Sequence, residues 1–150
     1  MSLTIVTWEG ALHRQAPSLE TARKKFMESQ RFVWFALWAD YGKDYGHVKR
    51  VYDTTKPLRL LDLSTMAMRA VIAAELGMPL AKLSPDDQYS GGAGNHVVHN
   101  LLLPLLVKHR LDGTIIEEHR ADDDCQGPTE IVLRGCRVRH VLRVFNKQRR

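Results

Sequence analysis

Three short segments carry residues whose types and spacing suit chemistry on a nucleotide-like ligand. The first is Trp34 to Gly46, WFALWADYGKDYG. A strand exposing an aromatic ring of Trp34-Phe35-Ala36, followed by a helix bearing Tyr45, would set two π-faces opposite each other. A flat heteroaromatic ring, above all a positively charged one such as nicotinamide, fits such a slot by stacking and cation–π attraction. The competing explanation for Trp34, Phe35 and Trp38 is plain core packing, the usual fate of strand aromatics. The second segment is Gly127-Pro128-Thr129-Glu130-Ile131-Val132-Leu133, where Glu130 opens an apolar strand just after a Gly-Pro loop. A carboxylate there, partly desolvated, can bind sugar hydroxyls and stabilise positive charge at an anomeric carbon. As a surface acid it would simply neighbour the local arginines. The third is Leu12-His13-Arg14-Gln15, in which His13 at a strand end can donate a hydrogen bond to a ribose hydroxyl.

Other constellations are weaker. His96 and His99 stand three apart on an expected helix, as in some metal sites, but no third ligand has suitable spacing, so a helix-start cap with a surface histidine is expected. Asp122-Asp123-Asp124 lacks a calcium-loop context, and the Gly91–Gly94 run lacks the Lys-Ser/Thr ending of a phosphate loop. No metal is expected. Cys125 and Cys136 are too few for a disulfide framework or a four-thiolate site, and are expected reduced and structural.

The elements that must position these groups follow from periodicity and breakers. Leu3 to Leu12 reads as an opening strand. Ser18 can cap a helix to about Ser29, with Leu19, Ala22 and Phe26 as its stripe. Arg31 to Leu37 is a short aromatic strand, and Asp40 can begin a brief helix that stops at Gly46. Val48 to Leu63 is strand in two pieces around Lys56-Pro57, and Ser64 is expected to cap a helix that ends before Gly77. Leu83 to Gly94 reads as a loop. A helix is expected from about Asn95 to Arg110, kinked at Pro104. Thr114 to Glu118 reads as a strand. Glu130 to Leu133 and Arg137 to Phe145 read as a final strand pair, with Arg137, Arg139 and Arg143 on one basic face. With strands at both ends and no βαβ alternation, the fold class is α+β rather than doubly wound.

The 150 residues fit one domain, 1–150, and the 44% hydrophobic and 26% charged fractions are ordinary for a globular protein. No stretch approaches the roughly 20 apolar residues of a membrane span. The start, Met1 to Val6, has neither the charge nor the apolar run of a secretory signal. The expected location is cytoplasmic, with secretion as an effector left open. The net charge of +5 is concentrated in the last residues, where no acid follows Glu130. That cluster could attract nucleic acid or another anion, or form a solvated strand face.

Taken in chain order, His13, then Trp34-Phe35-Ala36 with Tyr45, then Glu130-Ile131-Val132-Leu133, the sequence resembles the ADP-ribosyltransferase superfamily. The similar branch is the diphtheria-toxin and poly(ADP-ribose) polymerase one, with its His-Tyr-Glu set. The resemblance implies a split antiparallel β-sheet core with flanking helices and NAD as substrate. It also implies nicotinamide between Tyr45 and Trp34, with His13 or Arg14 on the ribose or cofactor backbone. Glu130 would be catalytic, and no metal would be needed. ADP-ribose would pass to a protein or nucleic-acid acceptor, held through the basic C-terminal strand. Two departures stand out. Arg14 follows the histidine where Gly is usual. Pro128 occupies the place two before Glu130, where arginine-modifying members carry Glu or Gln, so arginine is not the expected acceptor. Alternatives on the same fold are an RNA 2′-phosphotransferase-like enzyme that consumes NAD, or a degenerate, non-catalytic module that binds nucleic acid or protein.

Overall fold

The computed structural model describes residues 2–16, 31–37, 48–83, 96–116 and 130–145. Strands β1 (Ile5–Trp8), β2 (Ala11–Ala16), β3 (Phe32–Ala36), β4 (Val48–Thr54) and β5 (Leu58–Leu63) precede helix α1 (Met66–Leu76). Helix α2 (His96–Lys108), strands β6 (Gly113–Ile116) and β7 (Glu130–Arg134), helix α3 (Gly135–Val141) and strand β8 (Leu142–Val144) follow. The eight strands form one sheet, ordered β1-β5-β6-β7-β3-β2-β4-β8, in which only β5 and β6 run parallel. The domain is α+β. The helices expected at Ser18–Ser29 and from Asp40, together with Tyr45, Gly91–Gly94, Asp122–Asp124 and Cys125, lie outside the described residues.

The expected single strand Leu3–Leu12 is two strands. Gly10, at φ +150, breaks it, a backbone geometry that side chains disfavour. β1 then lies at the sheet edge against β5, while β2 pairs with β3 and β4. Only Glu9 and Gly10 join β1 to β2, and only residues 55–57 join β4 to β5. The β1/β5 ribbon therefore continues directly into the β2/β4 ribbon, clasped where Thr54 N donates to Gly10 O and Gly10 N to Thr54 Oγ1, both at 3.2 Å. Such short links between strands far apart in the sheet order require the sheet to curl over on itself.

Alternation sorts the side chains into two cores. Phe32, Leu61, Leu63, Ile116 and Val132 pack against Ile72 of α1 and Val98, Leu102 and Leu106 of α2. Leu12, Val33, Phe35, Tyr52, Leu60, Ile131 and Leu133 fill the curl, which Val138 and Val141 of α3 close.

The α1 expectation shifts by one residue. Thr65, not Ser64, is the cap, its Oγ1 accepting from Met68 N at 3.2 Å, while Ser64 donates to Asp62 Oδ1 through both N and Oγ. Gly77 ends the helix at φ +67, and Met78 N returns to Ala73 O at 3.0 Å. Helix α2 runs through Pro104. The chain just beyond its last residue is held by side chains from the sheet, Arg59 Nη1 on His109 O at 3.4 Å and Arg134 Nη1 on Leu111 O at 3.2 Å. Cations at this end also oppose the negative pole of the helix.

The C-terminal expectation is corrected. Residues 137–141 are helical, and strand pairing is confined to Leu142–Val144. Val138 and Val141, three apart, both reach the core, so helical spacing wins over the alternation through Val138, His140, Leu142 and Val144. The single basic strand face is thereby dissolved. Arg137 Nε instead pairs with Asp112 Oδ1 at 2.9 Å, and Arg143 alone of the three stays in a strand. Asp112 Oδ2 also accepts from Arg59 N at 2.9 Å.

Candidate functional site

The register brings two of the expected site residues onto one rung. His13 lies opposite Ala36, Ala36 opposite Glu130, and Glu130 opposite Ile116, across β2, β3, β7 and β6. Directly opposed residues share a face of the sheet. With strands roughly 4.8 Å apart, the backbones of His13 and Glu130 are roughly 10 Å apart, separated by the small side chain of Ala36. On the next rung, Trp34 lies opposite Val132, and Val132 opposite Thr114. Since residues two apart on a strand point the same way, Trp34 is the diagonal neighbour of Glu130 on the same face. His13, Trp34 and Glu130 are all half-buried. Tyr45 lies outside the described residues.

Arg14 points to the other face. Its guanidinium stands 5.7 Å from the centroid of the Phe35 ring, and Nη1 donates to Trp34 O at 2.8 Å. Phe35 meets Tyr52 edge-on at 5.6 Å in the core inside the curl. Burial lowers the pKa of Arg14 from its ordinary value, and burial raises that of Tyr52. The two candidates stand in the middle of β2, not at a strand end as expected, because pairing with β4 continues to Ala16, and only His13 shares a face with Glu130. Burial holds the His13 imidazole below the usual histidine pKa, favouring the neutral ring, which has both a donor and an acceptor nitrogen.

One residue of this face differs from expectation. His99, expected at the surface, is fully buried on α2. Its Nε2 lies 2.6 Å from Thr114 Oγ1, and its ring meets Phe32 and Trp34 edge-on at centroid distances of 5.3 and 6.0 Å. The signal was present in the spacing: His99, Leu102 and Leu106 fall at i, i+3 and i+7, the stripe that α2 turns to the sheet. Cys136, expected to be structural, is exposed on α3.

Among the described residues no helix is long and apolar enough to cross a membrane, and no group of three or more His, Cys, Asp or Glu side chains is placed to hold a metal ion. No family model, no curated protein and no solved structure matches the chain.

Proposed function

We propose that the chain is an ADP-ribosyltransferase of the His-Tyr-Glu kind, which binds NAD, cleaves its nicotinamide–ribose bond and passes ADP-ribose to a protein or nucleic-acid acceptor. The observation that carries this reading is the rung His13–Ala36–Glu130 with Trp34 diagonal to it, all on one face of three adjacent strands. The mixed α+β fold with its mostly antiparallel sheet supports the reading at the level of fold class, although the sheet is one continuous eight-stranded unit where the resemblance implies a split one.

In this reading the indole of Trp34 stacks on the nicotinamide ring, and the resemblance assigns the opposite wall to Tyr45. His13 donates a hydrogen bond to a ribose hydroxyl. Glu130 accepts from a hydroxyl of the nicotinamide ribose and faces the anomeric carbon. As the C–N bond breaks, its electron pair leaves with nicotinamide, and positive charge grows on the sugar beside the carboxylate. A fixed negative charge there stabilises the transition state more than the ground state. The acceptor nucleophile then forms the new bond to that carbon and gives up its proton. Arg14 in place of Gly is compatible with this pose, because its side chain leaves by the other face of the sheet.

Glu130→Gln is expected to slow nicotinamide release from NAD by on the order of a hundredfold, about 3 kcal/mol of transition-state stabilisation, with an unchanged melting temperature. Release at the wild-type rate would remove Glu130 from the chemistry. If calorimetry detects no NAD binding to the wild-type protein, the transferase reading fails altogether.

A further inference from the structure

The buried imidazole of His99 has no counterpart in the mechanism above, yet it touches the ring that the mechanism needs most. It reaches from Thr114 on β6, over Val132 on β7, to Trp34 on β3, three residues directly opposite one another in the register. Placing an imidazole in an apolar layer costs free energy unless its nitrogens are satisfied, and Thr114 Oγ1 at 2.6 Å supplies one partner. Leu or Met in this place would fill the gap between Phe32 and Trp34 with no such requirement. Packing alone therefore does not call for a polar pair here.

What the pair does supply is a fixed orientation. The hydrogen bond to a strand residue holds the imidazole, and the imidazole and indole rings in turn meet edge to face at an interplanar angle of 66°. Rotation of the indole about its own side-chain torsions would give up this contact. The half-buried remainder of Trp34 is left beside Glu130.

We propose that His99, tethered by Thr114, is a positioning residue that sets the plane of the Trp34 indole as the stacking wall for the nicotinamide ring of NAD, an inference that rests on the transferase reading. Stacking on that ring is made in the bound ground state and kept in the transition state. Loss of the tether therefore weakens binding without slowing the chemical step.

The test uses the full-length chain with Thr114→Val, Thr114→Ser, His99→Leu and Trp34→Phe. Thr114→Val and His99→Leu are expected to raise KM for NAD about threefold to tenfold, the size of one aromatic contact, with kcat within about twofold of wild type. Thr114→Ser restores the hydroxyl and is expected to restore KM. Near-ultraviolet circular dichroism supplies a readout free of turnover. The band that disappears in Trp34→Phe is expected to weaken in Thr114→Val and to be retained in Thr114→Ser. Wild-type KM together with an unchanged Trp34 band in Thr114→Val and His99→Leu overturns the proposal while leaving the transferase reading intact. An equal fall in kcat in both variants, with KM unchanged, also overturns it. A wild-type protein that neither binds nor cleaves NAD defeats the underlying reading and the nicotinamide role with it. The dichroism then separately decides whether Thr114 holds the indole through His99.

Discussion

At the scale of single residues, the proposed chemistry depends on which face each side chain takes. His13 and Arg14 are neighbours in sequence, but the period of two in a strand sends them to opposite faces. His13 shares its rung with Glu130, while Arg14 lies against Phe35. Burial lowers the pKa of His13 below 6.5, and the sign of its effect on stability follows. The unfolded chain takes up the proton first as pH falls, so the unfolded state gains on the folded one. The contribution of His13 is fully present above about pH 6.5, is lost progressively between that value and its lower folded pKa, and is flat below it. Denaturant midpoints for wild type and His13→Gln are expected to diverge across this window, the wild type losing more stability on going from pH 7.5 to 5. Parallel midpoints would show that the fold does not hold this imidazole neutral.

Among the elements, β6 is the most constrained. It is the strand to which β5 pairs in parallel and β7 antiparallel, and it carries Thr114 and Ile116 on the face of the candidate site. Its first residue is Gly113, where an added Cβ would stand 1.9 Å from Val132 O and 2.8 Å from Leu133 Cα. Both obstacles are backbone in the middle of the sheet, so neither can rotate away. Gly113→Ala is expected to cost at least about 3 kcal/mol in urea denaturation, at the upper end for overpacking. A loss below about 1 kcal/mol would mean that β7 does not press on β6 at this point. The same crowding bears on function, since β7 carries Glu130.

At the scale of the whole molecule, the curl of the sheet decides everything else. It turns a pair of strand ribbons into the two halves that enclose Leu12, Tyr52, Leu60 and Leu133. The turning point is Gly10, with φ +150 and a virtual Cβ 3.1 Å from the Trp8 ring. A side-chain ring can shift, whereas the backbone at Gly113 cannot. Gly10→Ala is therefore expected to cost about 1–3 kcal/mol from backbone strain, less than Gly113→Ala. Measured under the same conditions, the reverse order of these two losses would show that the bend is not where the fold is strained.

Local signals in the chain were enough to determine most elements. Pro57 splits β4 from β5, the aromatic run sets β3, Gly77 ends α1, and the apolar stripe places α2. These features depend on a few consecutive residues and on torsions that Gly and Pro impose or permit. The residues of the candidate site were legible by type, His13, Trp34 and Glu130 each standing in a segment suited to its chemistry. Their arrangement was not. His13 and Glu130 share a rung only because β2, β3 and β7 pair in one register, and pairing between strands so distant in sequence is decided by which apolar faces are buried together. The same holds for two of the misread segments. His99 carries a polar side chain on an apolar stripe, and it is buried because Thr114 meets it from another element. Residues 137–141 satisfy both a period of two and a spacing of three, and the helix prevails because Val138 and Val141 together close the curl.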